Sequence, residues 1–282
     1  MKILIRRPFD SLTRRIHLRF NKLFLFGVLG IFLQSCVAIR QSEETSTIPG
    51  NPQSAGAADL ALLRRSAPVL MVGDSLTVGD FGAALQAYLL QRFGSSNVAL
   101  YASCGSSPEH WIRSGPKFIT KCGYREQTPQ GAELYDFQNG RRPRHVLTPK
   151  LEDLVEKYHP KLVIVQLGTN WMDGFVANSR SEESHYGKIL DQFVGAIRSE
   201  PNNVNKIIWI TPPDSSRYSR ETQRDVNDLI TDAARRNSFQ IIDSSRLTHY
   251  VPGKSGGDGV HYNSAGAKEW ANQVTNQLDG IL

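Results

Sequence analysis

An α/β fold with a parallel central sheet is what this sequence predicts, and two observations predict it. From residue 67 onward, short apolar runs alternate with longer amphipathic segments. The runs are apolar at every position rather than at every second one, which is the pattern of strands buried on both faces. Strand, helix and strand repeated in this way imply parallel pairing with helices on both sides, a three-layer α/β/α sandwich around a sheet of about five strands.

The first run, Val69-Leu70-Met71-Val72, is followed by a helical pattern near 80–93. The second is Val98-Ala99-Leu100-Tyr101. A helical pattern at 149–158 precedes the third run, Leu162-Val163-Ile164-Val165, and another at 183–199 comes after it. Ile207-Ile208-Trp209-Ile210 and Gln240-Ile241-Ile242 complete the set, with helical patterns at 220–236 and 264–279. One connection is out of proportion. Residues 106–148 are polar with scattered aromatics (Trp111, Phe118, Tyr124, Tyr135, Phe137), and loops of that length are usually functional or disordered. Trp111, with Trp171 further along, is a candidate to line a substrate pocket, although such aromatics more often build a small satellite core. Neither an internal repeat nor a second domain is evident.

The formal charge of +6 suggests a nucleic-acid partner until it is located. Residues 1–22 hold seven basic side chains and one acid, which accounts for all of it, and the chain from Cys36 onward is balanced. A phosphate-backbone partner is therefore not expected. The basic segment runs into the apolar stretch Leu23–Leu33, too short to span a bilayer comfortably and suited to a secretory signal. Leu33-Gln34-Ser35-Cys36 resembles a bacterial lipobox, in which the cysteine is lipidated and becomes the new N-terminus. Residues 1–36 are thus expected to be a leader and 37–66, polar and without apolar periodicity, a flexible tether. The expected location is outside the cytoplasm, in the periplasm or at the cell surface, with membrane attachment only through the leader or a lipid on Cys36. In such an oxidising compartment Cys104 and Cys122 are expected to pair, the alternative being two unrelated buried thiols. The bridge would stabilise by roughly 3 kcal/mol on a chain-entropy estimate. No metal-ligand spacing surrounds these cysteines, and neither a metal nor another cofactor is expected.

In an open α/β sheet, ligands bind beyond the carboxyl ends of the strands. The residues just past each strand are therefore informative. Gly73-Asp74-Ser75-Leu76 comes after the first run, Ser103-Cys104-Gly105 after the second and Gly168-Thr169-Asn170 after the third. Thr211-Pro212-Pro213-Asp214 comes after the fourth, and a Gly-rich loop past the fifth ends Asp258-Gly259-Val260-His261. One rim thus collects a nucleophile, a base, an orienting acid and oxyanion donors. Singly, each has a commoner use: Ser75 as a helix cap, Asn170 and Asp258 as turn residues, His261 as a structural histidine. Independent accidents seldom share an order and a rim. Gly253-Lys254-Ser255 is not a phosphate-binding loop, because Thr248 stands where the upstream glycine is required.

In order, Gly73-Asp74-Ser75-Leu76, Gly105, Gly168-Thr169-Asn170 and Asp258-x-x-His261 resemble the four signature blocks of the SGNH (GDSL-type) hydrolase superfamily, over residues 69–265. The family's Asp directly after the Asn is absent; Trp171 stands there. The resemblance implies a flavodoxin-like fold and a serine esterase that works through an acyl-enzyme. Ser75 would be the nucleophile, His261 its base and Asp258 the group that orients the imidazole. The backbone N–H groups of Ser75 and Gly105 and the side-chain amide of Asn170 would form the oxyanion hole. With export, the expected substrate is an acylated, above all O-acetylated, carbohydrate of the cell envelope, or another small ester. A polysaccharide O-acetyltransferase, a lipase, lysophospholipase or thioesterase, and a non-catalytic envelope-binding protein are the competing expectations, since one scaffold hosts many functions.

Overall fold

The computed structural model describes residues 67–136, 145–178, 183–199, 201 and 203–282. The leader, Cys36 and the tether at 37–66 lie outside the described residues. In chain order the elements are β1 (Val69–Gly73), α1 (Ser75–Val78), α2 (Asp80–Phe93), β2 (Val98–Ser103), α3 (Pro108–Trp111), β3 (Gly123–Thr128), β4 (Gly131–Asp136) and α4 (Leu151–Tyr158). Next are β5 (Leu162–Gln166), α5 (Met172–Asn178), α6 (Glu183–Arg198), β6 (Lys206–Ile210), α7 (Arg220–Asn237), β7 (Gln240–Ile242) and α8 (Ser264–Ile281).

The sheet order is β4-β3-β2-β1-β5-β6-β7. Five strands, β2-β1-β5-β6-β7, are parallel, as the continuous apolar runs predict. Each of these strands feeds both sides of the sheet. Leu70, Val72, Val163, Val165, Ile207 and Trp209 face one core, packed by α3 to α7. Val69, Met71, Leu162, Ile164, Ile208 and Ile210 face the other, packed by α1, α2 and α8. Both sides of each strand must therefore be apolar, and the alternation of a half-exposed strand disappears.

The long connection is where structure and sequence expectation differ. It holds the single turn α3 and a hairpin, β3–β4, that pairs antiparallel with β2 and extends the sheet to seven strands. The hairpin strands Gly-Tyr-Arg-Glu-Gln-Thr and Gly-Ala-Glu-Leu-Tyr-Asp are rich in polar residues, yet β3 is largely buried, its Arg125 and Gln127 side chains covered and hydrogen-bonded.

The order β2-β1-β5 reverses the direction of strand progression at β1. That is the switch point at which open α/β sheets place their ligands. At the opposite end of the sheet the Pro68 carbonyl accepts the Lys161 N–H at 2.8 Å. There Lys206 Nζ, at the start of β6, donates to the Ile281 carbonyl at 2.8 Å. The described chain thus enters and leaves at the amino ends of the strands.

Candidate active site

The turn after β1 is built from buried groups. Asp74 is fully buried and caps α1, its Oδ1 accepting the Leu76 N–H at 3.0 Å. Its own N–H donates to the Gln166 carbonyl at the end of β5, at 3.2 Å. Thr77 Oγ1 donates to Gln166 Oε1 at 2.8 Å, a second tie between the same two elements. A Cβ on Gly73 would come within 2.2 Å of Thr77 Oγ1, so this close approach requires glycine. Burial pushes the Asp74 carboxyl up to about 6, against the lowering effects of the Leu76 N–H, Thr169, the charge of His261 and Gln166. Ser75, the next residue, stands over this base.

His261 arrives from the other end of the chain on a polar loop. Its Nε2 lies 2.8 Å from Ser75 Oγ and its Nδ1 2.6 Å from Asp258 Oδ2. Asp258 Oδ1 accepts the N–H groups of Val260 at 2.9 Å and His261 at 2.8 Å. Burial by itself raises the Asp258 carboxyl, but the His261 ring and these two backbone donors outweigh it and bring it down to about 2. An ionised Asp258 requires the proton on Nδ1, which leaves Nε2 to accept from the Ser75 hydroxyl. The loop is latched to the chain after β6: the Gly259 carbonyl accepts from Ser215 Oγ at 2.6 Å and from the Ser216 N–H at 3.0 Å. Gly259 has a φ of +84°, in the left-handed region. From beneath, Tyr250 Oη accepts the Gly259 N–H at 3.1 Å.

The third part faces Ser75 from β2 and β5. Gly105, with φ +82°, comes directly after Cys104, which is bridged to Cys122 with a Cα separation of 5.4 Å. Among the described residues, neither the Ser75 nor the Gly105 N–H donates to another protein group. Asn170 sits on a short turn after β5, and its Nδ2 donates to the Ser106 carbonyl at 2.8 Å. That bond ties the Gly105 turn to the Asn170 turn and leaves the second amide hydrogen of Asn170 for another acceptor.

The two tryptophans do something other than expected. Trp111 and Trp171 are 0% and 2% exposed and present no ring face to a substrate. Trp111 Nε1 donates to Ser106 Oγ at 3.0 Å and Trp171 Nε1 to Glu109 Oε2 at 2.8 Å. They are struts beneath the Gly105 and Asn170 turns, Trp111 from α3 and Trp171 from the turn after β5, because rings of this size stabilise most when buried. Sequence reasoning missed the supporting groups Thr77, Ser106, Gln166 and Tyr250; none carries a local pattern that would single it out. Beside Ser75 and His261 opens a pocket of about 340 Å³. Among the described residues no group of three His, Cys, Asp or Glu side chains could hold a metal.

Comparison with known proteins agrees with this arrangement. The family described as GDSL-like lipase/acylhydrolase matches residues 69–274. A multidomain esterase of Ruminococcus flavefaciens is 25% identical over 250 residues, an alignment covering 84% of this chain and 31% of the relative. The chain therefore corresponds to under a third of that protein. Among solved structures, a peptidoglycan O-acetylesterase has a TM-score of 0.51 at 13% identity, with 82% of this chain and 96% of the other covered. TesA has a TM-score of 0.50 at 16% identity, with 76% and 99% covered. At such identities these two likenesses establish the fold alone. Since the family match covers residues 69–274 and so includes Ser75, Gly105, Asn170 and His261, the chain belongs to the GDSL-like, SGNH-type lipases and acylhydrolases.

Proposed function

We propose that this protein is an exported serine esterase that releases ester-linked acyl groups, O-acetyl among them, from a carbohydrate of the cell envelope. The observation that carries the chemistry is the unbroken chain from Ser75 Oγ through the His261 ring to Asp258, at 2.8 and 2.6 Å. Ser75 Oγ attacks the ester carbonyl while its proton passes to His261 Nε2. Asp258 keeps the Nδ1 proton in place and stabilises the imidazolium. The oxyanion that forms is received by the N–H groups of Ser75 and Gly105 and by Asn170 Nδ2. His261 then returns its proton to the leaving alcohol oxygen, and the acyl group stays on Ser75. A water deprotonated by His261 attacks this acyl-enzyme, His261 returns the proton to Ser75 Oγ as the acyl bond breaks, and the acid leaves. Export rests on the basic and apolar leader, and attachment to the membrane on lipidation at Cys36.

The test is hydrolysis of p-nitrophenyl acetate by the purified protein beside Ser75→Ala. The variant is expected to lose activity by about 10⁴–10⁶-fold while keeping its thermal transition. Retention of activity within tenfold of the parent would remove Ser75 from the nucleophile's role. Cys36→Ser is expected to move the protein from the membrane to the soluble fraction; an unchanged distribution would overturn the lipid anchor.

A further inference from the structure

The run Thr211-Pro212-Pro213-Asp214 leaves the carboxyl end of β6 and takes no part in the chemistry described above. Its course follows from its residues. Thr211 donates its N–H to the Ile242 carbonyl at 3.0 Å, the last tie between β6 and β7. The two prolines that follow have no N–H and a fixed φ, so the chain stops pairing and runs stiffly past the sheet. Asp214 is where it arrives, 1% exposed.

An acid taken out of water needs partners, and those of Asp214 lie off the sheet. Its Oδ2 accepts the Tyr250 N–H at 2.8 Å. Arg220 donates to both carboxyl oxygens, with Nη2 3.3 Å from Oδ2. His249 Nδ1 also lies 3.3 Å from Oδ2, on a side chain that is 74% exposed. Arg220 is the first residue of α7, where a cation meets the positive end of the helix, and Asp214 offsets that conflict. Among the described residues the carboxyl bonds to no strand. Its contacts go to α7 and to the chain entering the loop of His261.

Two tyrosines lead from Asp214 to the base. Tyr250, held by its N–H, is 4% exposed; its Oη accepts the Gly259 N–H at 3.1 Å and donates to the His261 carbonyl at 3.4 Å. Tyr262, next to His261, donates its hydroxyl to the Asp214 carbonyl at 2.7 Å. The two rings meet edge to face with centroids 5.0 Å apart. A Cβ on Gly256 would come within 2.0 Å of the His261 carbonyl and 2.5 Å of Tyr250 Oη, so the loop closes tightly on this pair. The backbone of His261 is thus gripped on both sides by groups that Asp214 sets. Asp214 itself does not line the pocket beside Ser75, and the two imidazole nitrogens are taken by Ser75 and Asp258.

Resting on the Ser75 esterase reading above, we infer that Asp214 is a positioning residue of the catalytic base: through Tyr250 and Tyr262 it fixes where His261 Nε2 stands relative to Ser75 Oγ. A misplacement of about 1 Å at such a point costs about 10²-fold in rate. Because Asp214 acts through His261 and not on substrate, its loss falls on kcat and kcat/KM together and leaves KM unchanged.

The test is hydrolysis of p-nitrophenyl acetate, with rates expressed per folded molecule, by the parent, Asp214→Ala, Asp214→Asn, Arg220→Gln, Tyr250→Phe, Ser75→Ala and Asp214→Ala combined with Tyr250→Phe. Asp214→Ala should lose about 10-fold to 100-fold in kcat, with KM within about twofold of the parent. Asp214→Asn keeps an oxygen for the Tyr250 N–H and should restore kcat to within about threefold. Arg220→Gln should lower the thermal transition by about 2–4 °C and leave kcat in place. In the Tyr250→Phe background Asp214→Ala should cost at least about threefold less than in the parent, since the two act along one route. Four results would overturn the inference: unchanged kcat in Asp214→Ala, a loss carried by KM, an Asn variant as slow as Ala, or effects of Asp214 and Tyr250 that simply multiply. A loss of kcat in Arg220→Gln equal to that in Asp214→Ala would overturn it too, by tracing the effect to α7. If Asp214→Ala does not fold, Tyr250→Phe combined with Tyr262→Phe decides, with Asp214 intact. Removing both hydroxyls should lower kcat about tenfold, and kcat within about twofold of the parent would overturn the inference. Activity surviving in Ser75→Ala would instead defeat the underlying esterase reading, a result separate from all of these.

Discussion

Ser75 stands on a turn whose neighbours lie in the core, whereas His261 stands on a loop held at the surface by hydrogen bonds. Beneath Ser75 are Asp74, Thr77 and Gln166, all buried and tied across β1 and β5. Around His261 are Asp258, the Gly259 carbonyl and Tyr250 Oη, with His261 and Asp258 about half exposed. A group fixed by the core can be displaced only by disturbing the fold. One fixed by a polar latch can be displaced while the fold persists. Substitutions of the supporting groups should therefore separate, with stability changing beneath Ser75 and rate changing around His261.

The largest effect that would sharpen this contrast is expected from Asp258→Asn. With its amide unable to hold the imidazole in the required tautomer, esterase activity should fall about 10⁴-fold. At this exposed loop the thermal transition should move little, within what about 0.5 kcal/mol produces. A large loss of stability in the variant would show that the loop is part of the core's cooperative unit and erase the distinction.

Next in size is the Cys104–Cys122 bridge, which closes 18 residues beside Gly105 and anchors the edge hairpin. Cys104→Ser combined with Cys122→Ser should cost about 3 kcal/mol in denaturant unfolding. If the pair instead proves silent in stability, the hairpin edge is held by its strand pairing and Arg125 alone.

Asp74 probes the buried side through pH. Its carboxyl is raised from 3.8 to about 6, so the folded state holds the proton more tightly than the unfolded chain does. Stability from this group is then fully present below about pH 4 and lost as pH rises through 6, by about 2–3 kcal/mol. Asp74→Asn keeps an oxygen to cap Leu76 and should abolish that slope in urea titrations between pH 4 and 7. Parallel profiles for parent and variant would mean the carboxyl is solvated after all. The smallest effect is expected at Tyr250→Phe, which removes the acceptor of the Gly259 N–H. It should cost about 1 kcal/mol in stability, with a several-fold loss in rate; a change in stability alone would make Tyr250 part of the core rather than of the latch.

The parallel layers were legible in the sequence because strands covered on both sides must be apolar throughout, as Val69–Val72 and Leu162–Val165 are. The rim was legible with them, since in such a sheet the residues after each strand converge, and Ser75 and His261 do meet. The hairpin was not legible. Its strands pair by backbone at an edge, and the sign of it, Gly131 with φ +151° after Pro129-Gln130, is a weak turn signal between polar runs. Trp111 and Trp171 were misread for a related reason. Whether an aromatic on a connection faces solvent or core depends on distant partners such as Ser106 and Glu109, and nothing in the local pattern encodes those partners. Ser75 looked like a helix cap, whereas the cap is Asp74, whose complete burial emerges only when β5 closes over it.

Residues 67 and 282 both lie at the amino ends of the strands, marked by the Pro68 and Ile281 carbonyls, while the pocket opens at the carboxyl ends. An affinity tag or a fused module joined directly before residue 67 or after residue 282 would be attached on the face away from the catalytic rim. Immobilisation through residue 67 or 282 should therefore leave substrate access open even for a bulky polymer, whereas random coupling through surface lysines such as Lys121, whose stem lies against Gly105, would obstruct it.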